Sequence, residues 1–212
     1  MSKYGIFKNT KGKTLVYYPC PKNANSSAKL FFLKHLKLEN NFVFISDKVP
    51  LYKQNNKHFE NKKNLVNFLP SKQPFKKIKA DLKCCIIRDP VKRFVSSYKN
   101  RILYHQDVEF HNHSIDMILL KLEKNIFENK HFLPQIFFLG EDLSYYDCCA
   151  NVNDIKKFEL FINSFFEKNI DFPKIQTGGK EQSIFLNDKQ IERIKLIYKK
   201  DYNLLKNCPI SS

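Results

Sequence analysis

Glycine is scarce in this sequence, with 5 residues in 212, so each glycine in a loop carries more information than usual. Acidic side chains are also short, 21 Asp and Glu against 37 Lys and Arg, which leaves a formal net charge of +16. A bias of that size points to an anionic partner: nucleic acid, an acidic membrane, a phosphorylated cofactor or an acidic glycan. A general enrichment in Asn, Lys, Ile and Phe accounts equally well for many of the lysines. No apolar run approaches the roughly 18 residues of a membrane span, and Met1 to Lys13 is polar with no signal-type core. The expectation is therefore a cytoplasmic protein with no transmembrane segment.

C-x-x-C spacing and His/Cys clusters of the zinc type are absent as well, so no metal is predicted. Six cysteines are present, and Cys84-Cys85 and Cys148-Cys149 are adjacent pairs in strand-like runs. Neighbouring strand residues face opposite sides of a sheet, which argues against a bond inside either pair. All six read as reduced, mostly buried thiols.

What the chain does have is apolar substance: 42% hydrophobic residues and 20 Phe, enough for a real core in one domain over residues 1–212. Thr14 to Tyr18 reads as a strand, closed by Pro19 and Pro21, and a helical pattern follows from Ser26 to Leu38. Phe42 to Ile45 is a candidate strand, and Gln54 to Lys79 a long polar connection. Lys83 to Ile87 has the continuous apolar character of a buried strand. Asp89-Pro90 then opens a helix, with proline at a favoured first position. Further elements are a helix over Ile115 to Leu122, a strand over Tyr145 to Val152, a helix capped by Asp154 through Phe166, and a last helix from about Asp188 to Leu205. Strands alternating with helices predict an α/β fold, a parallel sheet flanked by helices on both faces. No repeat or domain linker interrupts it.

Two segments carry chemistry. The first is Pro21-Lys22-Asn23-Ala24-Asn25-Ser26-Ser27, between a strand and a helix. Free amides at a helix start bind anions; Lys22 adds a mobile cation, and Ser26 and Ser27 add hydroxyls. The lysine precedes the turn and no glycine is present, so this is not a Walker loop. Asn25 is the residue suited to a left-handed turn. The second is Arg88-Asp89-Pro90-Val91-Lys92-Arg93-Phe94-Val95-Ser96-Ser97-Tyr98. Arg88 ends a buried strand, where open sheets bind ligands, and Ser96 lies about two helical turns on. An arginine fork and a hydroxyl together can hold one phosphate. Arg93 has Asp89 one turn earlier as a ready ion-pair partner.

In this order the two segments resemble the nucleotide-binding motifs of the sulfotransferase family that uses 3′-phosphoadenosine 5′-phosphosulfate (PAPS). The resemblance is closest to the carbohydrate branch and its small bacterial relatives. His131-Phe132-Leu133-Pro134-Gln135 resembles an H-(aromatic)-x-P-Q element of that branch, and Ile197-Tyr198-Lys199-Lys200-Asp201-Tyr202 its final helix. The resemblance runs from about Thr14 to Leu205. It implies a P-loop-like sulfotransferase fold and an O-sulfotransferase with PAPS as donor, no metal, and a hydroxyl acceptor, saccharide or glycolipid. It also implies that Lys22, Asn23, Ala24, Asn25, Ser26 and Ser27 hold the 5′-phosphosulfate, with Lys22 catalytic, and that Arg88 and Ser96 hold the 3′-phosphate. Gly179 and Lys180, in Thr177-Gly178-Gly179-Lys180, would close over the adenosine end or form a plain turn.

Relatives often place a basic His or Glu between the two motifs; here Asn67 stands where such a residue is looked for. The base is open among His58, Glu60, His105, Glu109, His111 and His131, with His131 singled out as catalytic by its motif. Two other classes compete. A P-loop phosphotransferase lacks its lysine position and metal carboxylate here. A nucleic-acid module would explain the charge, but no zinc-finger, RNP-like or G-x-x-G signature supports it, so nucleic acid is not a predicted partner.

Overall fold

In a computed structural model of the chain, residues 4–38, 75–175 and 183–206 are described in full, and 44–46 and 49–50 by backbone alone. The elements run β1 (Gly5–Lys8), β2 (Thr14–Tyr18), α1 (Asn25–His35), β3 (Phe44–Ser46), β4 (Val49–Pro50), β5 (Leu82–Ile87), α2 (Pro90–Tyr98), α3 (Ile115–Glu123), α4 (Gln135–Leu139), β6 (Cys148–Asn151), α5 (Ile155–Phe166), α6 (Asp188–Ile197) and α7 (Lys199–Lys206). The main sheet has the order β1-β2-β5-β6. Strands β2, β5 and β6 are parallel, with Tyr18 opposite Cys85 and Cys85 opposite Cys149. Strand β1 pairs antiparallel to β2. The α/β class with flanking helices therefore holds, with an antiparallel edge strand added. That edge was hidden in a polar-looking N-terminus, yet Gly5-Ile6-Phe7-Lys8 alternates buried and exposed as a half-buried strand must. Its hairpin turns at Gly12, whose φ of +80° suits glycine.

The strand pleat divides the core. Leu15, Tyr17, Cys84, Ile86 and Cys148 face α1 and α5, where Phe31, Phe32, Phe158 and Ile162 close over them. Val16, Tyr18, Cys85, Ile87 and Cys149 face the other way, onto Phe138 and Leu139 of α4 and Leu204 of α7. Adjacent cysteines thus point to opposite faces, and the five within the described residues are buried. Phe7 stacks on Phe32 at 3.9 Å between ring centroids; truncating a buried Phe of this kind costs about 3–5 kcal/mol. A third cluster joins α2, α3 and α6 through Phe94, Tyr98, Leu119, Phe132, Ile194 and Tyr198.

Several boundaries shift for local reasons. The third parallel strand starts only at Cys148, because Leu143–Tyr145 forms a 3₁₀ turn. Tyr145 is used by its hydroxyl, 2.8 Å from that of Tyr18. Asp154 stands at the α5 N-terminus but makes no side-chain cap. The expected last helix breaks at Tyr198 into α6 and α7. Helix α2 runs on into π-helical turns at Lys99–Tyr104, a form that often marks functional regions. Of the strand expected at Phe42 to Ile45, Phe44 and Ile45 fall in β3, paired with β4 apart from the main sheet, and residues 42–43 lie outside the described residues. Residues 54–74 of the long connection lie outside the described residues.

Candidate functional site

The loop after β2 takes its shape from two non-glycine residues in the left-handed region, Lys22 (φ 70°) and Ala24 (φ 53°). Asn25, expected to take that conformation, is instead the first residue of α1. Each left-handed residue costs about 1–2 kcal/mol, so other contacts must hold them. Three consecutive loop residues are gripped from elsewhere. Arg93 Nε donates to the Pro21 carbonyl at 3.0 Å, and Arg88 Nη1 donates to the Lys22 carbonyl at 2.9 Å. Asn23 Nδ2 donates to the Ile86 carbonyl (2.8 Å) and to Gln135 Oε1 (2.7 Å).

Helix α1 then begins without a side-chain cap, since Ala24 has none to offer. The first helical bond runs from Ala28 N to Ala24 O at 2.9 Å. The amides of Ser26 and Ser27 precede it and are the donors a helix start presents to an anion. Ser26 is half-buried. The buried Ser27 hydroxyl is committed to the backbone of Ile175, accepting from its N–H at 3.2 Å.

Gln135 joins the two motifs. Its Nε2 donates to the Arg88 carbonyl (2.8 Å), and its Oε1 accepts from the Arg88 amide (3.0 Å) as well as from Asn23. The amides of Gln135 and Ile136, at the start of α4, donate to the Asp201 carboxylate at 2.8 and 3.0 Å. Pro134 stands at the cap position of α4 and supplies no side-chain bond, so Asp201 of α7 caps it from a distance. Burial raises the Asp201 pKa, opposed by the nearby Arg93 and by these N–H groups. Tyr198 donates to the Phe132 carbonyl at 2.6 Å, and Tyr202 to Asp89 Oδ2 at 3.3 Å.

In the second motif Asp89 caps α2 by accepting from Lys92 N at 2.8 Å, with Pro90 at the first position. Arg93 does not pair with Asp89 as its spacing suggested; it is 2% exposed and lies beneath the loop. The motif's two serines differ. Ser96 is half-buried, while Ser97 is buried and donates to the His131 carbonyl at 2.7 Å. The His131 amide donates to Asn129 Oδ1 at 3.0 Å. Asn129 in turn donates to Glu109 at 2.6 Å and lies 3.4 Å from Asp107, which pairs with Arg101. His131 is therefore pinned on both sides of its backbone.

Positive charge converges here. Lys22 is held down to about 7 by burial first, then by Arg88, Arg101 and Arg93. Lys29 falls to about 8 through burial and Lys130. Arg88 is lowered by burial and Arg93. His105 is lowered by burial, Arg101 and Lys22, against the pull of Asp107. His131 lies well below the ordinary imidazole value, through burial and the charges of Lys22, Arg101, Lys130 and Arg93. A set of cationic side chains all driven toward their neutral forms has the electrostatics of an anion site. Arg93 Nη2, Asn23 Oδ1 and His131 Nδ1 are buried with no hydrogen-bond partner among the described residues. The mutual repulsion of these cations fits a ligand carrying several negative charges.

The structure thus brings together Lys22, Arg88 and His131 from separate parts of the sequence, with His105 in the same field. Glu109 is turned to Asn129, and His111 offers its carbonyl to His113 Nδ1 at 3.1 Å. His58, Glu60, Asn67, Gly178, Gly179 and Lys180 lie outside the described residues. Sequence reasoning missed the roles of Ser97, Gln135 and Asp201, although all three stand in motifs that were visible. Among the described residues no three His, Cys, Asp or Glu side chains group as a metal site, and no helix is long and apolar enough to cross a membrane. A family model described as the sulfotransferase family matches residues 7–206. No curated protein and no solved structure matches the chain.

Proposed function

The chain belongs to the sulfotransferase family, and on that premise we propose that it moves a sulfuryl group from PAPS to a hydroxyl of a saccharide or glycolipid acceptor in the cytoplasm. The observation that carries this reading is the meeting of Lys22 and Arg88 at one cationic site, bonded to each other through the Lys22 carbonyl. Lys22 with the amides of Ser26 and Ser27 would hold the 5′-phosphosulfate end. Arg88 and Ser96 would hold the 3′-phosphate. Asn23 supports the loop from beneath, its side chain being turned inward to Ile86 and Gln135. Gly179 and Lys180 as adenosine contacts rest on the family resemblance alone.

PAPS supplies an activated sulfuryl group whose departure leaves negative charge on a phosphate oxygen. Lys22 would answer that charge as it grows, which makes it a catalytic residue as well as a binding one. His131 is the favoured base for the acceptor hydroxyl, because Ser97 and Asn129 pin its backbone beside Lys22. Burial first, and then the surrounding cations, hold its ring toward the neutral form. A polyanionic donor would offset the part of that shift that the cations cause.

The test is calorimetry with 3′,5′-ADP and 5′-AMP, followed by an acceptor screen with radiolabelled PAPS. Each charge-assisted contact to the 3′-phosphate should add roughly 1.5–3 kcal/mol to the first nucleotide. Equal affinities would sink the donor assignment.

A further inference from the structure

We propose that α7 belongs to the nucleotide-binding machinery: Asp201 and Gln135 are positioning residues that set Arg88 relative to Lys22, and so set the preference for a nucleotide with a 3′-phosphate. The inference rests on the donor reading above and goes beyond it.

Helix α4 spans only Gln135–Leu139, too short to hold its place by its own hydrogen bonding. Its position is set from outside. Asp201 is fully buried and engages the two N–H groups at the helix start. Burying a carboxylate is costly unless its lone pairs are met. Apolar packing between α4 and α7 would join these helices without that cost, and it already exists at Phe138, Leu139 and Leu204. The carboxylate therefore adds direction rather than adhesion: it fixes where Gln135 starts.

Gln135 then transmits that placement. Its one amide group contacts Arg88 on both sides of the residue, at N–H and at C=O, and also reaches Asn23 beside Lys22. Arg88 closes the circuit by donating to the Lys22 carbonyl. A rotation of the Gln135 side chain would move the strand end carrying Arg88 and the loop carrying Lys22 independently. The span between the 5′ and 3′ anionic groups of a ligand would then no longer match the span between the two cations.

The experiment compares wild type with Asp201→Asn and Gln135→Met, measuring affinities for 3′,5′-ADP and 5′-AMP, thermal melting, and kcat and KM for PAPS. Asp201→Asn keeps the side-chain shape but turns an N–H₂ toward one of the two amides. Its preference for 3′,5′-ADP over 5′-AMP should fall about tenfold, as when one charge-assisted contact slips out of reach, while 5′-AMP affinity stays within about threefold. Gln135→Met should lose at least as much preference. A purely structural role would lower melting temperature and leave the preference intact, and that result in folded variants overturns the inference. Equal weakening of both nucleotides overturns it too. Should Gln135→Met fail to melt cooperatively, Asp201→Asn decides alone. A wild-type enzyme with no preference would instead overturn the donor reading, and this inference with it.

Discussion

Lys22 offers a direct handle on the site through pH. Its ordinary value is 10.5, and burial with the charges of Arg88, Arg101 and Arg93 brings it to about 7. With no anion beside it, Lys22 is therefore driven toward the neutral amine over most of the alkaline range. A polyanion bound beside it favours the ammonium form, so binding above pH 7 must take up a proton. At pH 8 about nine-tenths of the amine is neutral, and each nucleotide should bring about 0.9 proton with it. If the ligand restores the ordinary value, affinity for 3′,5′-ADP should fall roughly 50-fold between pH 7 and pH 9, about 2.3 kcal/mol at 1.36 kcal/mol per pKa unit. The phosphates themselves titrate near pH 6 and stay dianionic across this window. The measurement is isothermal calorimetry at pH 8 in buffers of different ionisation enthalpy, together with affinities at half-unit steps from pH 7 to pH 9. Lys22→Gln is the control and should bind weakly with a much flatter pH dependence. A flat wild-type profile, or an equal slope in Lys22→Gln, would refute the placement of Lys22 against the anion.

Three further outcomes follow from other parts of the molecule. Lys22→Ala should lower kcat at saturating PAPS about 10²–10³-fold, the scale of a lost oxyanion donor, and Lys22→Arg should rescue only in part; steady-state rates on both variants check this. His35, 1% exposed with neither ring nitrogen bonded, is held down to about 4 from 6.5 by burial and Lys168. The unfolded chain therefore takes up its proton first as pH falls, and stability should drain from pH 6.5 toward pH 4. His35→Phe should keep the stack on Phe166, stabilise the fold by about 1–2 kcal/mol and flatten that acid limb in melts at pH 7 and pH 5. If the basic groups around Arg101 and Lys130 face the acceptor, sulfated or carboxylated glycans should inhibit transfer at low salt and lose potency at higher ionic strength; equal inhibition by neutral glycans would separate this surface from acceptor choice.

Much of this architecture was legible because it is local. Thr14 to Tyr18 and Lys83 to Ile87 are short runs that only a strand explains, and Asp89-Pro90 marks its helix by cap chemistry confined to neighbouring residues. The failures share a cause in long-range contacts. Propensity assigned the left-handed turn to Asn25, but arginine grips on adjacent carbonyls hold Lys22 and Ala24 there instead. Spacing paired Arg93 with Asp89, but the space beneath the loop drew its guanidinium inward. The break at Tyr198 has no sequence breaker; it accompanies the hydroxyl's bond to the Phe132 carbonyl. Gln135 and Asp201 stood in recognisable motifs, yet no periodicity says that a carboxylate on one helix caps another 66 residues earlier.

The loop's dependence on distant side chains also has a consequence in time. A chain made from its N-terminus has residues 21–27 early, without anything that shapes them. Arg88 arrives 66 residues after Lys22, and Gln135 arrives 112 residues after Asn23. Asp201 follows Gln135 by another 66. Contacts of such sequence separation form late, because loop closure must come first. A nascent chain stopped before α7 would carry both nucleotide motifs and still present no ordered anion site, so the capacity to bind nucleotide is acquired only once α7 has been made.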